Sequence, residues 1–300
     1  MDIEGVIPPM VTPTTGRDGT VATEELRSFT EFLVEGGVHG LFPCGSIGEF
    51  SSMTREERAT VIETVVDAAQ DRPVIAGCGG TAVGDVLEYI DDAADAGADA
   101  AVVVTPYYLT TTDAGMVDFY EAVAAEAALP IFLYNIPPLT KHSLDVDTVV
   151  DLADHDAFVG IKDSSGNMNY INELVAAVPD DFAVLPGVSA LQVAALDGGA
   201  AGAVTGVANI FPSAVSSIHD AHRAGNRDRA VSLLNEVVTP IAGAISTLPT
   251  ASAIKYLVRV AGHDVGPPLP PLPELTDGQC GTLKRRYEQV LDATRVEATN

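Results

Sequence analysis

Short, unbroken apolar runs alternate along most of this chain with longer stretches whose apolar positions recur every three to four residues. The runs fall at Gly5–Val11, Gly40–Pro43, Pro73–Gly77, Ala100–Thr105, Ile131–Asn135, Phe158–Lys162, Ala183–Pro186 and Gly202–Thr205. They are rich in Val, Ile and Ala and do not alternate with polar residues, which predicts strands buried on both faces. Helices are expected between them, over Ala22–Glu35, Thr54–Ala69, Thr81–Ala96, Thr112–Ala127, Asp145–Leu152, Met168–Ala176 and Ser189–Asp197. Thr54 with Glu57 three residues on has the form of a capping box, and Gly36-Gly37 and Gly97 stop two of the helices.

Eight strand–helix units in the first two-thirds of the chain predict an α/β fold, a closed (β/α)8 TIM barrel with a C-terminal helical appendage. A doubly wound open sheet is the alternative. It is disfavoured because no GxGxxG follows the first strand. After Pro212 the pattern turns helical, over Pro212–Ala224, Arg227–Ser246, Ala251–Ala261 and Thr276–Ala293. The expected division is a barrel over 1–212 and helices packed on it over 213–300. The proline-rich stretch Pro267–Pro273 is expected to run as an extended strap across the surface.

The formal net charge of −26, from 42 acidic against 16 basic residues, changes the picture of partners. Nucleic acid and anionic membranes are improbable ligands. The acid is spread over helix-like segments such as Asp91–Asp95, so the expectation is a whole-surface adaptation to a salt-rich, halophilic cytoplasm. No apolar run reaches the length of a membrane span, and the N-terminus lacks the form of a signal peptide. Cys44, Cys78 and Cys280 show no paired or zinc spacing, which predicts a reduced, cytoplasmic protein.

In a barrel of this kind the chemistry sits at the C-terminal ends of the strands. Of the four lysines, Lys141, Lys255 and Lys284 lie in polar or amphipathic surroundings and are expected to be solvated. Lys162 instead ends a β-branched run. A cation there is costly unless it is paired or deprotonated, and a desolvated lysine can add to a carbonyl to form a Schiff base. The bland alternative is a strand-end lysine reaching back to solvent. The same rim receives Gly45-Ser46-Ile47-Gly48, either an anion-holding turn or a plain strand-to-helix connection. It also receives Tyr134, a proton shuttle or a rim tyrosine with a satisfied hydroxyl. The Tyr107-Tyr108 pair can relay protons or cap a neighbouring subunit's site, or it is an aromatic pair that only packs. Gly187 and Gly206 stand at the ends of the seventh and eighth strands.

Other candidates carry less. His219-x-x-His222 is the one metal-like histidine spacing and reads as a solvated helix face; no metal and no organic cofactor is expected. Gly77-Cys-Gly-Gly80 lacks the lysine of a phosphate loop. Cys44 has no histidine in the strand-end set to activate it and reads as a small barrel-lining residue.

With these residues in place, the chain resembles the dihydrodipicolinate synthase / N-acetylneuraminate lyase family of class I aldolases from Gly5 to about Leu291. Gly45-Ser-Ile-Gly-Glu49 resembles the family's GxxGE loop, Tyr134-Asn-Ile-Pro137 its YNxP motif, and Gly160-Ile-Lys-Asp163 its G-x-K-[DE] strand. Thr105-Pro-Tyr-Tyr108 and Gly206-Val-Ala-Asn209 also fit. The resemblance implies a Schiff base on Lys162 with the keto carbon of pyruvate or a 2-keto acid, and Tyr134 as proton shuttle. It implies a carboxylate site at Gly45, Ser46 and Ile47, with Gly187 and Gly206 completing the substrate site. It also implies a homotetramer in which Tyr108 reaches a neighbouring site.

Three departures bear on substrate. Ile47 stands where most members carry a threonine, so only its backbone N–H serves the carboxylate. Leu139 stands where the synthases place an arginine for a second carboxylate. Val188, Ser189 and Ala190 follow Gly187, where sialic acid lyases carry acidic residues. What remains resembles the archaeal 2-keto-3-deoxygluconate aldolases. The expected reaction is cleavage of 2-keto-3-deoxygluconate, or its 6-phosphate, to pyruvate and glyceraldehyde or its 3-phosphate. Alternatives are dihydrodipicolinate synthesis, dehydration of a keto-deoxy sugar acid, and a non-catalytic sugar-acid sensor.

Overall fold

The computed structural model describes residues 3–297. Among the described residues seven parallel strands form: β1 (Gly5–Ile7), β2 (Ile75–Gly77), β3 (Ala100–Val104), β4 (Ile131–Asn135), β5 (Phe158–Asp163), β6 (Ala183–Pro186) and β7 (Gly202–Val204). β2 to β6 pair in sequence order, and β1 pairs with β7. The ring is closed at its two seams. Ala201 N–H donates to the Val184 carbonyl (3.1 Å), joining β6 to β7.

The other seam is the expected second strand, Gly40–Pro43, and here the structure corrects the sequence reading. This segment makes only isolated parallel bridges, Pro9↔Phe42 and Leu41↔Val74. Its neighbours Pro8, Pro9 and Pro73 have no N–H to donate, so a continuous ladder cannot form. It still closes the barrel. Phe42 N–H donates to Pro8 C=O (3.1 Å), Met10 N–H to Phe42 C=O (2.9 Å), and Ile75 N–H to Leu41 C=O (2.9 Å).

The helices surround this ring in strand–helix order. Thr54 and Glu57 form the capping box, each side chain accepting from the other's backbone N–H. The helix Pro212–Arg223 follows β7 and leans on the first strand and helix. Asp220 meets His39, Arg223 meets Glu4, and Pro212 occupies the space a side chain at Gly36 would need. The ring of helices therefore runs past residue 212. Beyond it, the run from Arg227 to Ile245 contains a π-helical turn at Leu234–Val238, just before Pro240. Pro240 lacks the N–H of a regular helix, which accounts for the local change of winding.

The proline-rich strap is not merely laid on the surface. Val265 and Leu269 are buried. Ser252 donates to Pro273 C=O (2.8 Å), Arg17 to Leu272 C=O (3.0 Å) and Lys255 to Pro267 C=O (3.0 Å). Among the described residues no helix is long and apolar enough to cross a membrane.

Candidate active site

β4 and β5 lie side by side with Tyr134 opposite Lys162 and Asn135 opposite Asp163. Side chains alternate along a strand, so the first pair enters the barrel and the second faces the helices. The outward pair is tied together: Asn135 Nδ2 donates to Asp163 Oδ1 at 2.8 Å, and Leu144 N–H donates to Asn135 Oδ1 at 3.1 Å. Ser165 adds its hydroxyl to Asp163 Oδ2 at 2.7 Å. These bonds hold the ends of both strands.

Inside the barrel, Lys162 is 5% exposed. Its Nζ lies 3.9 Å from the centre of the Tyr134 ring and 4.8 Å from that of Phe42. The amine is therefore walled by aromatic faces, and the fold does not let it reach back to solvent. Tyr134 is itself buried. Burial pushes its phenol up, but the neighbouring Lys162 charge and hydrogen bonds with Ser46, Lys162 and Ser164 outweigh that, so its pKa lies below the usual tyrosine range. Tyr134 Oη is 3.4 Å from Ser46 Oγ. That is long for a hydroxyl pair, a separation of the kind that tightens when substrate binds.

The Gly45–Gly48 turn is held from several sides. Thr12 Oγ1 donates to Gly48 C=O (2.9 Å), and Phe50 N–H donates to Gly45 C=O (3.4 Å). Ile47 turns towards Gly206, where a Cβ would stand 2.8 Å from Ile47 Cδ1 and 2.7 Å from Ile254 Cδ1. Gly206 thus leaves room for the apolar side chain at the loop's second position. A Cβ on Gly187 would fall 2.0 Å from Ser164 Oγ and 3.1 Å from Lys162 Cε. The absence of a side chain there is what admits both groups.

Tyr108 is placed differently. It is 93% exposed, at a positive φ of 79°, beside the exposed Leu109. Its ring stands outside the barrel of its own chain. Next to the Ser46 end of the site lies a pocket of about 270 Å³. Val104, Tyr107, Ile136, Leu139, Pro271 and Leu272 give it mostly apolar walls, and Ser51, Ser52 and Thr140 add hydroxyls. Among the described residues no lysine or arginine lines it.

Three readings of single residues are corrected. Lys255 is fully buried, not solvated: its Nζ lies 2.6 Å from Glu49 Oε1, and both side chains have no exposed surface. Burial pushes its ammonium down, and the Glu49 charge offsets this only in part. His219 is also buried, with its ring 4.9 Å from that of His39, while His222 pairs with Asp197 at 3.0 Å. Among the described residues no group of three metal-ligating side chains converges. Cys44 is a free, buried thiol, but it does not line the barrel interior, because its Sγ points to the Arg58 carbonyl in the helix layer. Burial pushes that thiol up to about 12, so it has no thiolate character.

Sequence reasoning gave no role to Phe42 or Ser164, and placed Glu49 in the loop motif without its partner. Ser164 follows Lys162 within two residues, a proximity that could have been noted. The Glu49 partner lies far along the chain and gave no local sign.

The chain is similar to known proteins over nearly its whole length. The family model described as "Dihydrodipicolinate synthetase family" matches residues 2–290. A 4-hydroxy-tetrahydrodipicolinate synthase of Methanopyrus kandleri is 34% identical over 290 residues, covering 96% of each chain. One of Haloarcula marismortui is 34% identical over 95% of this chain and 92% of its own. Among solved structures, YagE from E. coli K12, a prophage protein crystallised in complex with pyruvate, superimposes with a TM-score of 0.92. It is 30% identical, and the match covers 96% of this chain and 99% of that one.

Proposed function

The chain belongs to the dihydrodipicolinate synthetase family, a family of lyases, and from that premise we propose that it cleaves an unphosphorylated 2-keto-3-deoxy sugar acid, 2-keto-3-deoxygluconate, through a Schiff base on Lys162. One observation carries the reading: a buried amine beside a tyrosine whose phenol is held below its usual range.

Lys162 passes a proton to Tyr134 and adds as the free amine to C2 of the keto acid; return of that proton to the C2 hydroxyl expels water and leaves an iminium, with Tyr134 again a phenolate. The substrate carboxylate sits on the Ser46–Ile47 turn. Tyr134, as a phenolate held by hydrogen bonds from Ser46 and Ser164, takes the proton of the C4 hydroxyl and becomes a phenol. The C3–C4 bond breaks, its electrons enter the iminium, and glyceraldehyde departs. The enamine left behind is protonated at C3 and hydrolysed to pyruvate and free Lys162. The iminium is the electron sink, so the residues need only hold, position and move protons.

The pocket beside Ser46 supports the free sugar acid over its 6-phosphate. Its hydroxyls suit a polyol chain, and no cation lines it to meet a phosphate. The same feature weighs against the synthase activity named for the relatives in Methanopyrus and Haloarcula, since Leu139 offers nothing to a second carboxylate. The exposed Tyr108 and Leu109 support assembly with further copies of the chain, as a homotetramer with Tyr108 at a neighbour's site. The acidic composition supports a salt-rich cytoplasm.

Borohydride added with pyruvate should leave a reduced adduct on Lys162, seen as a mass shift on its peptide. A protein inactivated without that adduct would remove the mechanism. At high salt, kcat/KM for 2-keto-3-deoxygluconate should exceed that for its 6-phosphate by about tenfold or more. Equal values would remove the substrate assignment and leave the Schiff base standing.

A further inference from the structure

Glu49 and Lys255 have no part in the chemistry above, yet they form a fully buried ion pair at 2.6 Å. Removing two charges from water is costly, and such a pair seldom stabilises a fold more than apolar residues of the same size. Its contacts indicate a different use. Glu49 directly follows Gly48 and adopts a left-handed backbone at φ 62°. Its N–H donates back to Ser46 C=O at 3.3 Å, which folds the turn on itself. Its carboxylate reaches out of the turn: Oε1 meets Lys255, and Oε2 accepts the Leu269 N–H at 2.5 Å. Lys255, on the helix Thr250–Val260, passes the connection on to Pro267 C=O at 3.0 Å. Leu269 and Pro267 belong to the strap whose Pro271 and Leu272 wall the pocket beside Ser46. One side chain therefore joins the turn that would hold the keto acid's carboxylate to the wall that would face the rest of the substrate.

We propose that Glu49 and Lys255 are positioning residues that lock the Ser46–Ile47 turn and the 265–272 strap into one rigid unit, so that keto-acid affinity depends on the pair although neither residue supplies a reacting atom. The inference rests on Ser46–Ile47 being the carboxylate site of the Schiff-base reaction.

Lys255→Met alone would strand a buried carboxylate and can unfold the chain, so the test uses Glu49→Leu with Lys255→Met, which removes both charges at similar volume. The expected result is a folded protein whose pyruvate concentration for half-maximal borohydride trapping on Lys162 rises about tenfold or more. Trapping at saturating pyruvate should stay complete, because Lys162 and Tyr134 are untouched. A folded double variant with unchanged half-saturation overturns the positioning role. Should the double variant not fold, hydrogen exchange on the wild-type protein decides: saturating pyruvate is expected to slow exchange across 265–272, and an unaltered rate there overturns the proposal. An untrapped wild type removes the Schiff-base reading and this role with it, whereas a trapped wild type beside an unaffected variant removes this role alone.

Discussion

Tyr134 and Lys162 are register partners on adjacent parallel strands, with the lysine Nζ 3.9 Å from the centre of the tyrosine ring. Backbone pairing thus sets the distance between amine and phenol before any loop contributes. The outward Asn135–Asp163 bond at the next register position holds the strands from slipping. A pair fixed in this way needs little reorganisation when substrate arrives.

Removing the phenol hydroxyl tests that pairing most directly. Tyr134→Phe should keep the fold, since only one oxygen is lost, and should lower turnover by about a hundredfold or more. Lys162 should still be trapped by borohydride with pyruvate, though more slowly. Steady-state kinetics with a pyruvate-release assay check the first point; unchanged turnover would take Tyr134 out of the mechanism.

Gly187→Ala probes the space around the amine. Its new Cβ would lie 2.0 Å from Ser164 Oγ, so Ser164 has to swing away and forfeit its hydrogen bond to Tyr134. The added carbon would also press on Lys162 Cε at 3.1 Å. A fall in kcat of about tenfold is expected, on a protein whose circular dichroism matches the wild type. Wild-type kinetics in a well-folded variant would show that Gly187 is free of this constraint.

Much of this site was legible because strand ends in a barrel converge and residue alternation is local. Lys162, Tyr134 and the Gly45–Gly48 turn could be brought together from position along the chain alone. The closing segment at 40–43 was legible as apolar but not as irregular, because its ladder is broken by prolines on the neighbouring segments. Lys255 was misread for a related reason. Its helix looks amphipathic, and the Glu49 that permits its burial comes from the opposite end of the sequence. His219 shares that fate, since the space that buries it is made by His39 and the start of the barrel. Long-range pairing of charges is the part of the fold that local pattern does not encode.

His219 gives a pH dependence of definite sign. Burial, with the nearby His39, lowers its pKa to about 4, against about 6.5 in an unfolded chain. Between those values the unfolded chain holds more protons, so stability falls as pH drops through that window and is fully present above it. His219→Gln removes the titrating ring and should flatten the slope of Tm against pH over that range, while His263, which burial also lowers, stays in both proteins. Parallel slopes for the two proteins would refute the assignment.

A net charge of −26 on 300 residues makes the folded chain repel itself. The screening length shrinks from about 10 Å at 0.1 M salt to about 3 Å at 1 M. Tm should therefore climb by about 10 °C or more between dilute buffer and molar potassium chloride. Differential scanning calorimetry across that series checks it, and a flat series would dissociate the acidic surface from salt adaptation.

Leu139→Arg asks whether the pocket beside Ser46 sets the choice of substrate. Leu139 is 63% exposed and lines the pocket, so a longer polar side chain there has room and costs the core little. A guanidinium at that position gives a distal carboxylate or phosphate the bidentate partner the wild-type pocket lacks. The kcat/KM for the 6-phosphorylated keto acid should rise about tenfold, and that for the free sugar acid should fall or stay level. Leu139→Gln, polar and uncharged, should leave the phosphorylated substrate unimproved. If both variants raise it alike, polarity and not charge governs entry, and the preference for an unphosphorylated substrate must come from elsewhere in the site.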